Sequence, residues 1–167
     1  VYGWPSFAMY PIVVQGFGGK GVAVPLTSNF DHDLEAMLAA VTDKTRMMIL
    51  CNPNNPTGTS IAAAEFASFV KKLPSDVVLM VDEAYFEFCG VSSIGLLEHF
   101  SNVIITRTFS KALGAAGLRL GYLMTHPDLV QEIEKVKLPY NVNLISLIAA
   151  KRIIQEQALI KERSAFI

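Results

Sequence analysis

Short apolar runs rich in β-branched residues alternate along the chain with longer segments of helical periodicity. This alternation is typical of βαβ units, in which the strands form a largely parallel sheet. We therefore expect an α/β fold with a three-layer αβα arrangement and a mostly parallel central sheet. The predicted strands are 22–25, 47–51, 77–81, 103–106 and 120–124, and the predicted helices are about 7–14, 31–41, 60–73, 128–136 and 144 to near the end of the chain.

The composition agrees with such a sheet. Hydrophobic residues make up 51% of the chain and charged residues only 17%, where about 25% is usual. No apolar run approaches the roughly 18 residues that a membrane-spanning helix needs. A parallel sheet covered on both faces accounts for the excess, because its strands are continuous apolar runs. A second use is a surface that packs against further segments of a longer chain or against a partner.

Charge and cysteine usage argue against several classes of protein. The net charge is −1, and charges of both signs are scattered without a basic run, which argues against binding to nucleic acids and to anionic membranes. Cys51 and Cys89 stand alone, without the spacing of a zinc site or a disulfide framework. We expect a reduced, cytoplasmic protein without a metal ion, and no catalytic part for its three histidines, His32, His99 and His126.

Several residues mark where helices begin and end. Asp31 and Ser60 are placed to cap the second and third predicted helices, and Pro127 suits a first helical turn, where a missing N–H costs nothing. The segment 16–21, Gly-Phe-Gly-Gly-Lys-Gly, faintly resembles a phosphate-binding loop. It follows a helix and precedes a strand, the reverse of the order that such loops need, so we interpret it as a helix stop.

Three polar segments follow directly after apolar strand runs. They are residues 52–59, 82–85 and 107–111. In an open parallel sheet, ligands bind beyond the carboxyl ends of the strands. The three loops are therefore predicted to meet at one edge of the sheet and to form a ligand site there.

The third of these loops leads into Thr-Phe-Ser-Lys-Ala-Leu-Gly-Ala-Ala-Gly-Leu-Arg-Leu-Gly-Tyr, residues 108–122. A lysine flanked by hydroxyl groups, with an arginine eight residues later, suits a Schiff-base lysine beside a bound phosphate. An amine attacks an aldehyde once it has lost its proton, and hydroxyl and guanidinium groups donate to phosphate oxygens. We therefore predict that Lys111 binds pyridoxal 5'-phosphate. Thr108, Ser110 and Arg119 would donate to its phosphate, and a surface ion pair is the alternative for Arg119.

Asp82 ends an apolar strand run, where a carboxylate is costly unless a charge or hydrogen-bond donors accompany it. A protonated pyridine nitrogen is a suitable partner, because it keeps the cofactor ring able to accept electrons. A helix cap or a loop-binding carboxylate is the alternative. Glu83, the next residue, fits either an exposed loop position or a hydrogen-bonded network.

Tyr85 and Asn55 are neutral donors that suit the ring oxygen of the same cofactor, because donation stabilises the charged form of that oxygen. Asn55 lies in Asn-Pro-Asn-Asn-Pro-Thr-Gly, residues 52–58, which is also a strong turn sequence. The two interpretations are compatible, because two prolines would hold the asparagine side chain rigidly.

Together these motifs resemble the fold-type I pyridoxal-phosphate aminotransferases, and within them the histidinol-phosphate aminotransferase group and its aromatic (phenylalanine-type) relatives. The resemblance covers nearly the whole chain, through residues 4–10, 52–59, 81–88, 106–122 and 138–143. It implies that Lys111 forms the Schiff base and later moves a proton between substrate and cofactor. Asp82 would bind the ring nitrogen, and Tyr85 and Asn55 would bind the ring hydroxyl.

The resemblance also implies parts for residues that local chemistry does not single out. Phe7 matches the aromatic residue that stacks on the cofactor ring, and Tyr10 competes for that place. Tyr140 and Asn141 would line a domain junction near the substrate. For the phosphate pocket the resemblance implies the same hydroxyl and guanidinium donors as the local chemistry.

The implied reaction transfers an amino group from an L-amino compound, histidinol phosphate first, to a 2-oxo acid, and the implied assembly is a homodimer. Aromatic amino acids are the alternative amino donors. Two further alternatives are a lyase similar to threonine-phosphate decarboxylases and a non-catalytic aminotransferase-like domain that senses ligands. Intact Lys111, Asp82 and Arg119 argue against lost chemistry. No nucleic acid or membrane partner is expected.

The family pattern further implies parts without a counterpart in this sequence. Residues 1–143 correspond to a partial cofactor-binding large domain, and residues 144–167 to a helix that leads toward a small C-terminal domain. An N-terminal phosphate loop and a C-terminal arginine for the substrate carboxylate are the missing parts. We therefore expect a large-domain fragment that is inactive by itself and whose substrate is determined elsewhere.

Overall fold

The computed structural model describes residues 1–166 of the protein. Within this range the strands are β1 (Tyr2–Trp4), β2 (Ala23–Pro25), β3 (Met47–Cys51), β4 (Val78–Asp82), β5 (Val103–Thr108) and β6 (Gly121–Thr125). The α-helices are α1 (Met9–Gly16), α2 (Leu34–Ala39), α3 (Ala63–Lys72), α4 (Phe86–Cys89), α5 (Pro127–Val136), α6 (Leu144–Gln155) and α7 (Gln157–Phe166). Short 3-10 turns lie at Ile94–Glu98 and Ala116–Leu118.

These strands belong to one sheet, in the order β2-β1-β3-β4-β5-β6. The first five are parallel, and β6 runs antiparallel to β5 at the edge. The alternation of strands and helices in the sequence predicted a mostly parallel sheet, and that prediction is confirmed.

Alternate side chains of the central strands enter two different cores. Met48 and Leu50 of β3 pack with Phe66 of α3 on one face of the sheet. Ile49, between them, packs on the opposite face with Tyr10 of α1. Helices therefore cover both faces, as the three-layer prediction requires. Full burial of such a side chain contributes roughly 1.5–3 kcal/mol, so the central strands form a firm base for the loops at their ends.

The sequence pattern misses β1 and α4. β1 is only three residues long and stands next to Pro5, and proline argues against a central strand. Its place depends on backbone hydrogen bonds, from Tyr2 N to the Val22 carbonyl and from Ile49 N to the Val1 carbonyl. α4 is a single turn of four residues, too short for helical periodicity to be visible.

The ends of several helices agree with the sequence signals. Pro127 begins α5, and Gly18, with φ of +77°, follows the end of α1 at the predicted helix stop. The helix predicted from residue 144 onward is divided into α6 and α7, because Glu156 departs from helical geometry with ψ of 53°. Ile167, the last residue of that predicted segment, lies outside the described residues.

Two predicted helix caps are wrong. Asp33, rather than Asp31, caps α2, because it stands directly before the first helical residue and accepts a backbone N–H of the first turn at 2.9 Å. Ser60 does not cap α3, which begins three residues later without a side-chain cap. The backbone N–H of Ile61 instead donates to the side chain of Asn52 at 2.9 Å, so this segment stays with the loop.

Apolar side chains are also exposed on α1 and α6. They include Ile12, Val13, Leu144, Ile145 and Ile148. The apolar excess of the composition is thus divided between the buried cores and these helix surfaces. No helix within residues 1–166 combines the length and the apolar character needed to cross a bilayer.

Candidate active site

The carboxyl ends of β3, β4 and β5 lie side by side at one edge of the sheet. The register places Cys51 beside Asp82, and Asp82 beside Thr106. Backbone hydrogen bonds join the loops just beyond, from Asn52 N to the Asp82 carbonyl (2.9 Å) and from Glu83 N to the Thr106 carbonyl (2.9 Å). The prediction that the loops after these strands meet at one edge is therefore confirmed.

A cleft of about 580 Å³ opens between these loops. Its lining residues are Pro53, Asn54, Asn55, Pro56, Gly58, Tyr85, Phe88, Cys89 and Lys111. Lys111 Nζ lies 5.1 Å from the centre of the Tyr85 ring. Three predicted site residues, Asn55, Tyr85 and Lys111, thus share one cleft, and its volume is within the range of small-molecule sites.

The lysine is presented by a loop that is anchored on both sides. Phe109 and Leu113 are buried together in a small core next to α6, whereas Lys111 between them is exposed. Thr108 Oγ1 accepts a hydrogen bond from Ser110 N at 3.1 Å, which closes the turn after β5. Thr108 and Ser110 therefore flank the lysine, although they do not line the cleft itself.

Asp82 lies at the end of β4, half-buried. Its Oδ2 accepts a hydrogen bond from the Tyr10 hydroxyl at 2.7 Å, and its Oδ1 accepts one from Ala84 N at 3.1 Å. Both donors are neutral, and within residues 1–166 no cation lies at ion-pair distance from the carboxylate. Burial and the nearby carboxylate raise the pKa of Tyr10 well above its ordinary value, so the phenol stays a donor.

Phe7 and Tyr10, the two aromatic candidates for ring stacking, have different surroundings. Tyr10 is 6% exposed and belongs to the core beneath α1. Phe7 is 41% exposed and packs against Tyr10 edge to face, with ring centres 5.6 Å apart. Of the two rings, only that of Phe7 has an accessible surface of the size that stacking needs. Its part in cofactor binding stays a prediction.

Arg119 is exposed and lies outside the cleft lining. Its backbone is left-handed, with φ of +51°, and its guanidinium donates to the Ala116 carbonyl at 3.0 Å. One carbonyl satisfies one of five guanidinium N–H groups, so most of its donors stay available. The described residues place no carboxylate against it, which leaves the surface ion pair suggested by the sequence without a partner.

Glu83 belongs to a buried network that the sequence left open. Its side chain is fully buried, and its Oε2 accepts from Arg107 Nε (3.0 Å) and Nη2 (2.8 Å) and from Ser92 Oγ (3.1 Å). The backbone N–H of Ser93 donates to the other oxygen. The guanidinium lies 3.6 Å from the centre of the Phe86 ring. The sequence contained one signal for this network: the acidic Glu83 stands just after β4, and the basic Arg107 stands within the neighbouring strand β5.

Asn54 is a second residue whose part the sequence did not reveal. It is buried, and its Oδ1 accepts from Ser6 Oγ at 2.7 Å. Its amide donates to the Pro5 carbonyl (3.2 Å) and to Thr57 Oγ1 (2.9 Å). These bonds join the segment before α1 to the loop that carries Asn55, so the turn-forming sequence and a fixed site residue are compatible, as predicted.

Residues 1–166 match the model of the family described as aminotransferase class I and II. The chain belongs to this family. The resemblance drawn from the sequence motifs is thereby confirmed at the level of the family and of the fold.

Named aminotransferases are among the similar proteins. The chain is 46% identical over 152 residues to an aromatic amino acid aminotransferase of Rhodococcus erythropolis, covering 90% of this chain and 42% of that protein. It is 44% identical over 160 residues to histidinol-phosphate aminotransferase 1 of Nitrosococcus oceani, covering 93% and 43%. The chain therefore spans less than half the length of these relatives.

A solved aminotransferase structure has the same fold. The histidinol-phosphate aminotransferase of Sinorhizobium meliloti, in complex with pyridoxal-5'-phosphate, superimposes with a TM-score of 0.92 at 34% identity. The match covers 99% of this chain and 46% of that one.

Proposed function

We propose that the full-length protein is an aminotransferase that uses pyridoxal 5'-phosphate to transfer an amino group from an L-amino compound to a 2-oxo acid. Membership in the aminotransferase family and the likeness to a structure that contains this cofactor support the proposal. The observation that carries it is the Asp82 carboxylate, which is held by neutral donors at the same sheet edge as Lys111.

The donor set at this edge suits the cofactor. A half-buried carboxylate without a cation is stabilised by a positively charged partner, and the protonated ring nitrogen would supply that charge at Asp82. Tyr85 and Asn55 line the cleft, where they would be neutral donors for the ring oxygen. Thr108 and Arg119, on the loop that carries the lysine, offer hydroxyl and guanidinium donors for a phosphate.

When bound, the cofactor supplies an electron sink that stabilises negative charge at the substrate carbon. The chain's own residues do the rest. Lys111 Nζ would hold the cofactor at its aldehyde carbon, whose oxygen would leave as water, and the free amine would take up and return a proton at that nitrogen. Asp82 would keep a proton on the ring nitrogen, and Tyr85 would donate to the ring oxygen. The buried anchors Phe109 and Leu113 keep the lysine loop in place.

For the substrate, we propose histidinol phosphate as the amino donor, with aromatic amino acids as the second candidate. Support for the first comes from the name of a relative at 44% identity, and for the second from one at 46% identity. The test is kcat/KM for histidinol phosphate and for phenylalanine with the same 2-oxo acid. A preference for phenylalanine would move the proposal to the aromatic group, and carbon dioxide release without amino transfer would replace it by a lyase.

The family pattern also suggests an arrangement for the full-length protein. We propose that residues 1–143 are its cofactor-binding domain, that residues from 144 lead to a second domain, and that it acts as a homodimer in the cytoplasm. The exposed apolar surfaces of α1 and α6 support burial against further protein. Light scattering on the full-length protein measures the oligomeric state directly.

The decisive experiment is Lys111→Ala in the full-length protein. Wild-type protein with pyridoxal phosphate should show a visible absorbance band, and borohydride should fix the cofactor to the peptide that contains Lys111. The variant should lose both signals and nearly all activity. Lys44→Ala, at an exposed lysine away from the cleft, is the matched control. A variant that still fixed the cofactor to the same peptide would refute the part proposed for this lysine.

A further inference from the structure

The Asp82 carboxylate accepts a side-chain hydrogen bond from the Tyr10 hydroxyl, which belongs to α1. The two residues are 72 positions apart, and the hydroxyl donates to Asp82 Oδ2 at 2.7 Å. A bond from a neutral donor to a carboxylate is among the stronger protein hydrogen bonds. Tyr10 therefore fixes one oxygen of the group on which the proposed chemistry depends.

The surroundings of Tyr10 hold its hydroxyl in one place. Its ring is buried beneath α1, in the cluster that it forms with Tyr2, Ile49 and Cys51. The Phe7 ring packs edge to face on the Tyr10 ring, with the ring centres 5.6 Å apart. A ring packed on all sides has little rotational freedom, so the hydroxyl has a fixed direction. Burial also raises the pKa of Tyr10, which keeps the proton on the phenol at neutral and moderately alkaline pH.

The bonding of the carboxylate leaves room for a further donor. An ionised carboxylate has about four lone-pair sites. Tyr10 occupies one on Oδ2, and Ala84 N occupies one on Oδ1. The two donors fix the plane of the carboxylate and leave acceptor capacity on both oxygens.

We propose that Tyr10 is a positioning residue, whose hydroxyl holds the Asp82 carboxylate in the orientation that receives the ring nitrogen of pyridoxal phosphate. This inference rests on the proposed function. It separates two parts that the sequence left in competition: Phe7 remains the candidate for stacking, and Tyr10 acts through Asp82.

Two measurable properties follow. Loss of the hydroxyl should weaken cofactor binding by about tenfold, the smaller effect expected for one hydrogen bond to a charged group. A misplaced carboxylate would also keep the ring nitrogen protonated less well, which would make Lys111 Nζ, when it is bonded to the cofactor, harder to deprotonate. The pH at which the visible band of the bound cofactor titrates should therefore rise, in the same direction as in Asp82→Asn and by less.

The experiment compares wild type, Tyr10→Phe, Asp82→Asn and Tyr2→Phe in the full-length protein. Tyr2→Phe is the matched control, because it removes a hydroxyl from the same buried cluster at a side chain that makes no hydrogen bond to Asp82. The dissociation constant of pyridoxal phosphate is measured on each apoprotein, and the visible band is titrated with pH. Urea denaturation gives the folded fraction, to which all values refer.

The outcomes distinguish this inference from the proposed function. Weaker binding and an upward titration shift in Tyr10→Phe, with Tyr2→Phe as wild type, support it. If Tyr10→Phe matches Tyr2→Phe while Asp82→Asn is impaired, the inference is overturned and the proposed function stands. If wild type forms no visible band with pyridoxal phosphate, both are overturned. Equal damage in Tyr10→Phe and Tyr2→Phe would indicate a general packing effect and also overturn the inference.

Discussion

Asp82 and Glu83 are consecutive carboxylates at the end of β4, and their environments are opposite. Glu83 is fully buried and pairs with the Arg107 guanidinium, which is itself only 11% exposed. Asp82 is half-buried and accepts hydrogen bonds from Tyr10 and from a backbone N–H, both of them neutral donors. Because successive side chains of an extended segment point to opposite sides, one residue of separation is enough to place them in different regions.

The difference indicates which carboxylate is built for a ligand. A buried ion pair with saturating hydrogen bonds has no capacity left for a further charge, and the loss of one of its partners costs stability. A carboxylate held by neutral donors keeps its net negative charge and some of its lone pairs. We interpret Glu83 as a structural residue whose ion pair joins β4 and β5, and Asp82 as the carboxylate that would bind a cationic ligand.

The largest effect is expected from Asp82→Asn. The amide keeps the shape and one acceptor oxygen, which can accept from the Tyr10 hydroxyl but not also from Ala84 N, and it cannot hold a proton on a ring nitrogen. We predict that kcat falls about a thousandfold, comparable to the loss of one preorganised electrostatic contact, while the free energy of unfolding changes by less than about 1 kcal/mol. Steady-state kinetics and urea denaturation measure the two quantities.

Two variants control this comparison. Asp76→Asn neutralises an exposed carboxylate in the turn before β4 and should leave both quantities at wild-type values. Glu83→Gln should lower stability while the folded protein keeps most of its kcat. A loss of kcat in Asp82→Asn of threefold or less would show that the two carboxylates do not differ in function.

The contrast between the two carboxylates was only half visible in the sequence. Asp82 follows an apolar strand run, and strand ends predict ligand sites, so its part was open to inference. Glu83 follows the same strand, but its partner Arg107 lies 24 residues away on the next strand. Only the register of β4 and β5 brings them together, and residue type alone does not determine register. Tyr10 and Asp82 are 72 residues apart, so their contact could not be inferred from the sequence for the same reason.

The second prediction concerns Arg107→Met, which leaves the Glu83 carboxylate buried without its cation. Loss of one partner of a buried pair costs about 3–5 kcal/mol, so we expect a loss of that size in the free energy of unfolding. The double variant Glu83→Gln with Arg107→Met removes both charges and should recover most of it. Urea denaturation of the four proteins forms a double-mutant cycle.

A different result of that cycle would change the interpretation. If Arg107→Met lost less than about 1 kcal/mol, the pair would act as an exposed ion pair does, and the structural part assigned to Glu83 would be wrong. If the double variant stayed as unstable as the single one, packing of the guanidinium on Phe86 (3.6 Å) would be the main contribution of Arg107.

The fold was predictable to a greater extent than the contacts of the site. The strands β2 to β6 and the main helices follow from local periodicity, because their apolar residues must be buried. β1 and the segment before α3 were not predictable in this way, because the bonds that place them come from distant residues, such as the one from Ile61 N to Asn52. Local sequence determines the elements here, and long-range hydrogen bonds determine how the site residues are held.

The smallest expected effect is a loss of stability at alkaline pH, caused by two groups near the Asp82 carboxylate. Burial raises the pKa of Tyr10 and of Cys51, in both cases with the Asp82 carboxylate as a further cause. The ordinary values are 10.0 for the phenol and 9.0 for the thiol, so the unfolded chain loses these protons first. The stabilisation is complete below pH 9 and is lost as the pH rises, by up to about 1.4 kcal/mol per pH unit for each group.

Urea denaturation between pH 8 and pH 11 tests this prediction, with the value at pH 8 as the internal reference for each protein. Tyr10→Phe and Cys51→Ala each remove one titrating group and should each lose stability less steeply than wild type. The Glu83–Arg107 pair should not contribute, because burial lowers the pKa of Arg107 but the hydrogen bonds to Glu83 and the charge of that carboxylate outweigh it and raise the pKa above its ordinary value. An unchanged slope in Tyr10→Phe would mean that the phenol ionises as easily in the folded protein as in the unfolded chain. The burial of the phenol and its contact with Asp82 would then both be absent in solution.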